Sequence, residues 1–160
     1  MKLHPHLGSY HILDSELSRL IEKEIAPRDL TILSHVGNDA PNVQPPDFMR
    51  LAARFPQTRF VAAHLANGIH GGSNSGINAW REFEPTNVCL DMATLRVMHT
   101  DILKEYVEAV GPDRICFGTD APLYWPAAFV RILETAELEA EVQEKIAWKN
   151  ATQAFPRLNA

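Results

Sequence analysis

The chain has 160 residues, 46% of them hydrophobic and 22% charged, with a formal net charge of −5. That is room for one domain of ordinary globular composition. It leaves no basic stripe to grip a phosphate backbone and no apolar run of about 20 residues to cross a bilayer, so nucleic acid and membrane are excluded as partners. The start, Met1 to His6, lacks the apolar stretch of a secretory signal. Two cysteines, Cys89 and Cys116, lie in apolar segments and read as reduced core thiols of a cytoplasmic protein.

In chain order, Met1 to His4 reads as the stub of a strand. Leu17, Leu20, Ile21 and Ile25 then recur at helical spacing behind a cap at Asp14 or Ser15. Thr31 to His35 is a β-rich run. Phe48, Leu51, Ala52 and Phe55 mark a second helix after Pro45-Pro46, stopped by Pro56. Arg59 to His64 is the next strand. Ala66 to Gly76 reads as a glycine-rich loop, with a short helix over Ile77 to Phe83. Asn87 to Asp91 is a further strand. Ile102, Leu103, Tyr106, Val107 and Val110 form a helix ended by Gly111-Pro112. Arg114 to Gly118 is the last strand. Phe129, Ile132 and Leu133 mark one helix after it, Val142, Ile146 and Ala147 another, with a last turn near Ala151 to Phe155. Near-continuous apolar runs alternating with amphipathic stretches predict an α/β fold with a parallel sheet.

The informative polar residues stand at the C-terminal ends of these strands. His35 ends one, His64 the next, and Asp120 follows the last. Strand C-termini in parallel α/β folds converge on one rim, where sites are built. Two imidazoles and a carboxylate there suit a Zn or Fe ion, and Asp120 is placed to accept a proton from metal-bound water. Each histidine alone is also readable as a satisfied loop or core residue.

The ordered set Lys2-Leu3-His4-Pro5, Ile32 to Gly37, Val61-Ala62-Ala63-His64-Leu65, Asn87 to Asp91, Asp113 to Pro122 and Lys149-Asn150-Ala151 resembles the amidohydrolase-related metal-dependent hydrolases. That group includes aminocarboxymuconate-semialdehyde decarboxylase and pyrone-dicarboxylate lactonase. Phe117-Gly118-Thr119-Asp120-Ala121-Pro122 is the most specific piece. The resemblance implies a (β/α)8 barrel of which this chain is a partial copy, about strands four to eight, as a single domain over residues 1–160. It implies that His35 and Asp120 are ligands of one divalent metal, Zn first, with Mn or Fe as alternatives. It makes Asp120 and His64 catalytic, Asp120 as general base and His64 as the group that polarises substrate. His4 falls on strand four, and with His70 of the glycine-rich loop after His64 it is a candidate substrate contact. The implied substrate is a small carboxylated organic acid, lactone or amide, and the implied reaction is hydrolysis or decarboxylation.

The departure from the family pattern is the missing first-strand His-x-His, which would complete the metal site. The chain then needs a second copy or a complementing N-terminal half, or it is a non-catalytic half-barrel subunit that keeps only the fold signature. His4-Pro5-His6 spells His-x-His and is readable as a chelate or as a chance neighbour pair. Lys2 is comparable with the carboxylated strand-four Lys of two-metal relatives, although the subgroup resembled is of the one-metal type. Asp91 is expected to satisfy backbone donors. Asn38 and Asp39 either line the pocket or make the turn after His35, and Trp125, with Tyr124 beside it, follows Asp120 closely enough to wall a pocket. Trp80, Trp125 and Trp148 are expected to pack, and His11 and His99 to be exposed. A nucleotide-binding reading of Gly68 to Gly72 fails because the spacing is not a phosphate-loop fingerprint.

Overall fold

The computed structural model describes residues 1–68, 74–99 and 101–159. Five short strands, β1 (Lys2–Leu3), β2 (Ile32–Ser34), β3 (Phe60–Ala62), β4 (Val88–Asp91) and β5 (Ile115–Cys116), pair in parallel in the order β1-β2-β3-β4-β5. Register follows from the pairs Leu3 with Ser34, Ser34 with Ala62, Ala62 with Leu90, and Asp91 with Cys116. Sequential strands lying side by side is the topology of one arc of a (β/α) barrel.

Helices flank the sheet, most of them on one face, with the last reaching the other. They are α1 (Pro5–Gly8), α2 (Ser15–Leu20), α3 (Pro45–Arg54), α4 (Ser75–Phe83), α5 (Ile102–Val110), α6 (Pro126–Glu134), α7 (Ala140–Glu144) and α8 (Asn150–Ala154). Proline opens α3 and α6 at the position where a missing N–H costs nothing. Gly111, at φ +91°, caps α5. Phe48, Met49, Leu51 and Ala52 face the core from α3, Leu103, Tyr106 and Val110 from α5, and Phe129 and Leu133 from α6. Phe48 meets Phe60 edge-on at 5.8 Å and 89°. Each of the Leu, Met, Val and Phe side chains among these contributes about 1.5–3 kcal/mol through burial.

Strand alternation divides the sheet. Ile32, Phe60, Ala62, Val88, Leu90 and Ile115 belong to the large helix-covered core. Leu33, Val61, Cys89 and Cys116 point to the other face, where Ala154 and Phe155 pack on them as a second small cluster. Asn87, just before β4, donates through Nδ2 towards the carbonyls of Ala52, Phe55 and Thr58 at 3.1, 3.0 and 2.9 Å, joining the end of α3 to the entry of two strands. Asn150, buried at the start of α8, donates to the Pro112 and Ile115 carbonyls at 2.8 and 2.6 Å and anchors that helix beside β5.

Several details differ from the expectation. Leu20 is 41% exposed; the helix widens into a π turn over Ile21–Ile25, where Ile21 and Ile25 are buried. A one-turn helix, α1, follows β1, with His4 at its N-cap accepting from the Leu7 N–H. The last two predicted helical pieces are one run, α7 passing through a π turn at Lys145–Lys149 into α8. Trp80 packs as expected, but Trp125 and Trp148 are 81% and 53% exposed and take no part in the core.

Candidate functional site

His4, His35 and His64 come together at the C-terminal ends of β1, β2 and β3. The ring of His35 stacks on that of His4, with centroids 4.5 Å apart and planes 11° from parallel. On its other side it meets His64 edge-on at 4.7 Å and 63°. His35 is placed by its own backbone, whose N–H donates to the Leu3 carbonyl at 3.1 Å and so continues the β1–β2 ladder. Its Nε2 lies 3.6 Å from Asp39 Oδ1. Burial, followed by the neighbouring His64 and His4 imidazoles, pushes His35 down to about 4, against a smaller opposing pull from Asp39. His35 is therefore a neutral ring with a lone pair near pH 7. His4 is lowered too, first by burial and then by Lys2.

His64 reaches the cluster through an unusual corner. His64, Leu65 and Ala66 all take left-handed backbone, at φ 63°, 54° and 52°, where a non-glycine residue costs about 1–2 kcal/mol. The carboxylate of Asp91 braces this corner. Its Oδ1 accepts the His64 N–H at 2.9 Å and the Ala93 N–H at 3.0 Å. The His64 Nδ1 is hydrogen-bonded to the Ala93 carbonyl, which can only accept, so in the neutral ring the lone pair is on Nε2. Burial raises the Asp91 carboxyl above the ordinary range, while His64 and the two backbone donors pull the other way. Asp91 thus serves backbone donors, as its position at a strand end suggested.

Asp120 lies four residues beyond β5, half-buried, at φ 56°. It shares with Lys2, His64, Asp91, Cys116 and Thr119 the wall of a cavity of about 360 Å³. Neither His35 nor His4 lines that cavity. His6 is exposed on α1 and stands apart from the imidazole stack. Trp125 and Tyr124 are not among the cavity residues either. His70 lies outside the described residues. The stacking of His4 on His35 and the bond of His64 to the Ala93 carbonyl join separate strands and leave no local sequence signal. Only the His35–Asp39 spacing of four residues carried any signal for the Asp39 contact.

A divalent metal fits this arrangement in part. His35 is a buried neutral imidazole, the right kind of donor, and carboxylates stand on the same rim. Among the described residues, however, no group of three His, Cys, Asp or Glu side chains is close enough to hold an ion. A catalytic zinc site takes about three protein ligands.

The parallel arc of β/α units thus carries imidazoles and a carboxylate on its C-terminal rim. The family model Amidohydro_2, described as Amidohydrolase, matches residues 1–157, and the chain belongs to that family. No protein of curated function matches the sequence. Among solved structures, the fold is similar to the uncharacterized TIM-barrel protein Bb4693 from Bordetella bronchiseptica, with a TM-score of 0.79 and 18% identity over 99% of this chain and 58% of that one. It is similar to 5-carboxyvanillate decarboxylase LigW from Sphingomonas paucimobilis, with a TM-score of 0.72 and 17% identity over 98% and 58%. It is also similar to the dihydroxybenzoic acid decarboxylase from Polaromonas sp. JS666, solved with bound manganese, with a TM-score of 0.68 and 17% identity over 94% and 56%. The chain therefore spans a little over half the length of these structures. No helix among the described residues is long and apolar enough to cross a membrane.

Proposed function

We propose that the chain forms the five-stranded part of a metal-dependent enzyme of the amidohydrolase type, a hydrolase or decarboxylase of a small carboxylated acid, lactone or amide. The observation that supports this is the convergence of His4, His35 and His64 on one rim, with the His35 ring held neutral. In this reading His35 and Asp120 contribute ligands to one divalent ion, Zn first and Mn or Fe as alternatives. The remaining ligands come from outside the described residues, on a second copy or a complementing segment. The ion would supply Lewis acidity to a substrate oxygen or to water.

The chain's own residues supply the rest. His64 has Nδ1 committed to Ala93, so Nε2 is the atom that holds or accepts a proton as charge develops on the substrate. Asp120, on the wall of the same cavity, takes a proton at its carboxylate. Lys2, also on that wall, offers a cation to a substrate carboxylate. His4 and His70 are assigned to the substrate side. Two of the similar folds are named for decarboxylation of hydroxylated benzoates, which makes an aromatic carboxylate the first substrate class to try.

The test is the metal content of the purified chain, by elemental analysis, with and without His35→Ala and Asp120→Ala. Stoichiometric metal that falls in both variants is the expected result. A second reading, a non-catalytic half-barrel that acts as an assembly piece, is favoured by the absence of a three-ligand group among the described residues. No metal in any of the three proteins, after loading with Zn or Mn, overturns completion of the site by a second copy and leaves this one.

A further inference from the structure

We propose that the chain holds a second binding site, for a small molecule that presents a carboxylate, at the N-terminal ends of β3, β4 and β5. The site is a cavity of about 400 Å³ with Arg59, Arg114 and Gln153 among its polar walls and Phe60, Cys89 and Ala154 on its apolar side. That volume falls in the ordinary range of small-molecule sites. The cavity shares no lining residue with the one that holds His64 and Asp120. It opens at the other end of the strands, so a ligand held here is not positioned for chemistry at the imidazole rim.

The strand starts bring the two arginines together. Arg59 stands one residue before β3 and Arg114 one before β5. Phe60 pairs with Val88, and Leu90 with Ile115, so Arg59 is level with Asn87 and Arg114 with Cys89. Two inter-strand steps and a two-residue stagger put their Cα atoms about 12 Å apart, a span that two long side chains close from either side. Arg114 leans back over β4, where its Nη1 donates to the Thr86 carbonyl at 2.8 Å. That bond leaves Nε and Nη2, one edge of the guanidinium fork, to donate to both oxygens of a carboxylate.

Charge selects the ligand. Arg114 is half-buried, and no carboxylate among the described residues pairs with it. Arg59 is already balanced, since its Nη2 donates to the Asp29 carboxylate, yet its Nε is buried without a hydrogen-bond partner, a rare state for a donor. The one acidic group on the cavity wall, Asp113, is held by Lys145 Nζ at 3.0 Å. The Ala154 carbonyl, at the helix end that repels anions, is taken by the Thr31 hydroxyl. One uncompensated positive charge therefore remains, which a single carboxylate balances and a dianion such as phosphate overshoots. The Gln153 amide, exposed on α8 and without a hydrogen bond, adds a neutral donor.

The experiment is NMR of the arginine Nε–H groups in the full chain, titrated with benzoate at constant ionic strength. Benzamide, the neutral isostere, and chloride are the controls. The Arg114 signal is assigned by its loss in Arg114→Lys. The expected result is a saturable downfield movement of that signal with benzoate and none with benzamide or chloride. Arg114→Lys keeps the charge but loses the fork, and its benzoate affinity, read from backbone amides around the cavity, should fall about tenfold or more. Far-ultraviolet circular dichroism checks that it folds, and the titration of the unaltered chain stands without it. Lys2→Gln removes the cation assigned to a carboxylate at the other cavity and should leave the Arg114 response intact, which separates this site from that one. No saturable movement, an equal movement with benzamide or chloride, loss of the response in Lys2→Gln, or unchanged affinity in Arg114→Lys overturns the proposal. None of these outcomes depends on a metal at the imidazole rim.

Discussion

Replacing Asp91 by alanine removes the one acceptor that serves two buried backbone donors, the N–H groups of His64 and Ala93. Leaving a buried donor unpaired costs about 1–3 kcal/mol. Two such groups would give about 2–6 kcal/mol, but the variant also escapes the cost of a carboxylate in a half-buried site, and the expected loss is about 2–4 kcal/mol. Asp91→Asn keeps a carbonyl oxygen of the same reach and drops the charge. Its expected loss is under about 1 kcal/mol, because a neutral acceptor replaces a charge-assisted one while the burial cost is relieved. Urea unfolding followed by circular dichroism gives both numbers from shifts in midpoint at constant slope. The same pair of variants should be followed by NMR of the His64 ring, since Asp91 is the side chain that holds the backbone N–H of the left-handed corner at residues 64–66, beside the ring's own bond to the Ala93 carbonyl. The ring resonances should move strongly in the alanine variant and little in the asparagine one. Equal destabilisation by both variants, or an alanine variant as stable as the parent, would refute the bracing argument.

Two further substitutions test the packing around the site. Gly76 lies in α4, where alanine is ordinarily better by about 1 kcal/mol. Here a Cβ would meet the Leu65 carbonyl oxygen at 2.2 Å, so Gly76→Ala should lower the melting temperature, and a rise would show that the corner yields. Asn150→Ala strips the buried donor shared by the Pro112 and Ile115 carbonyls and should cost about 1–3 kcal/mol in urea, with α8 fraying first by hydrogen exchange.

Much of the arc was legible because hydrophobic runs and strand-end polar residues are local signals. Thr31 to His35 and Arg59 to His64 marked β2 and β3 together with the two histidines that end them. Asp14 read as a cap and is one, accepting the Glu16 N–H at 3.2 Å. The Phe48, Leu51 and Ala52 spacing gave α3 its buried face. Other features were hidden because they depend on three-dimensional neighbours. Nothing in Lys2-Leu3-His4-Pro5 shows that His4 will stack on His35. The left-handed run after Ala63 has no glycine until Gly68 to announce it, because the long-range bond to Asp91 compensates the backbone cost. Trp125 looked like a packing residue by its type alone, yet the turn after Asp120 carries it out to solvent at 81% exposure. Cys89 and Cys116 were legible as residues of apolar strands, but their sharing one face of the sheet follows from register, which one sequence does not state.

The side chain of Asn87 has only two amide hydrogens to divide among three carbonyl oxygens, each within 3.1 Å. Hydrolysis of that amide to aspartate, the ordinary chemical ageing of asparagine, would change almost nothing in shape. It would set a negative charge against three oxygens with no hydrogen between them. One slow covalent event of this kind would convert the latch between α3 and β4 into a wedge.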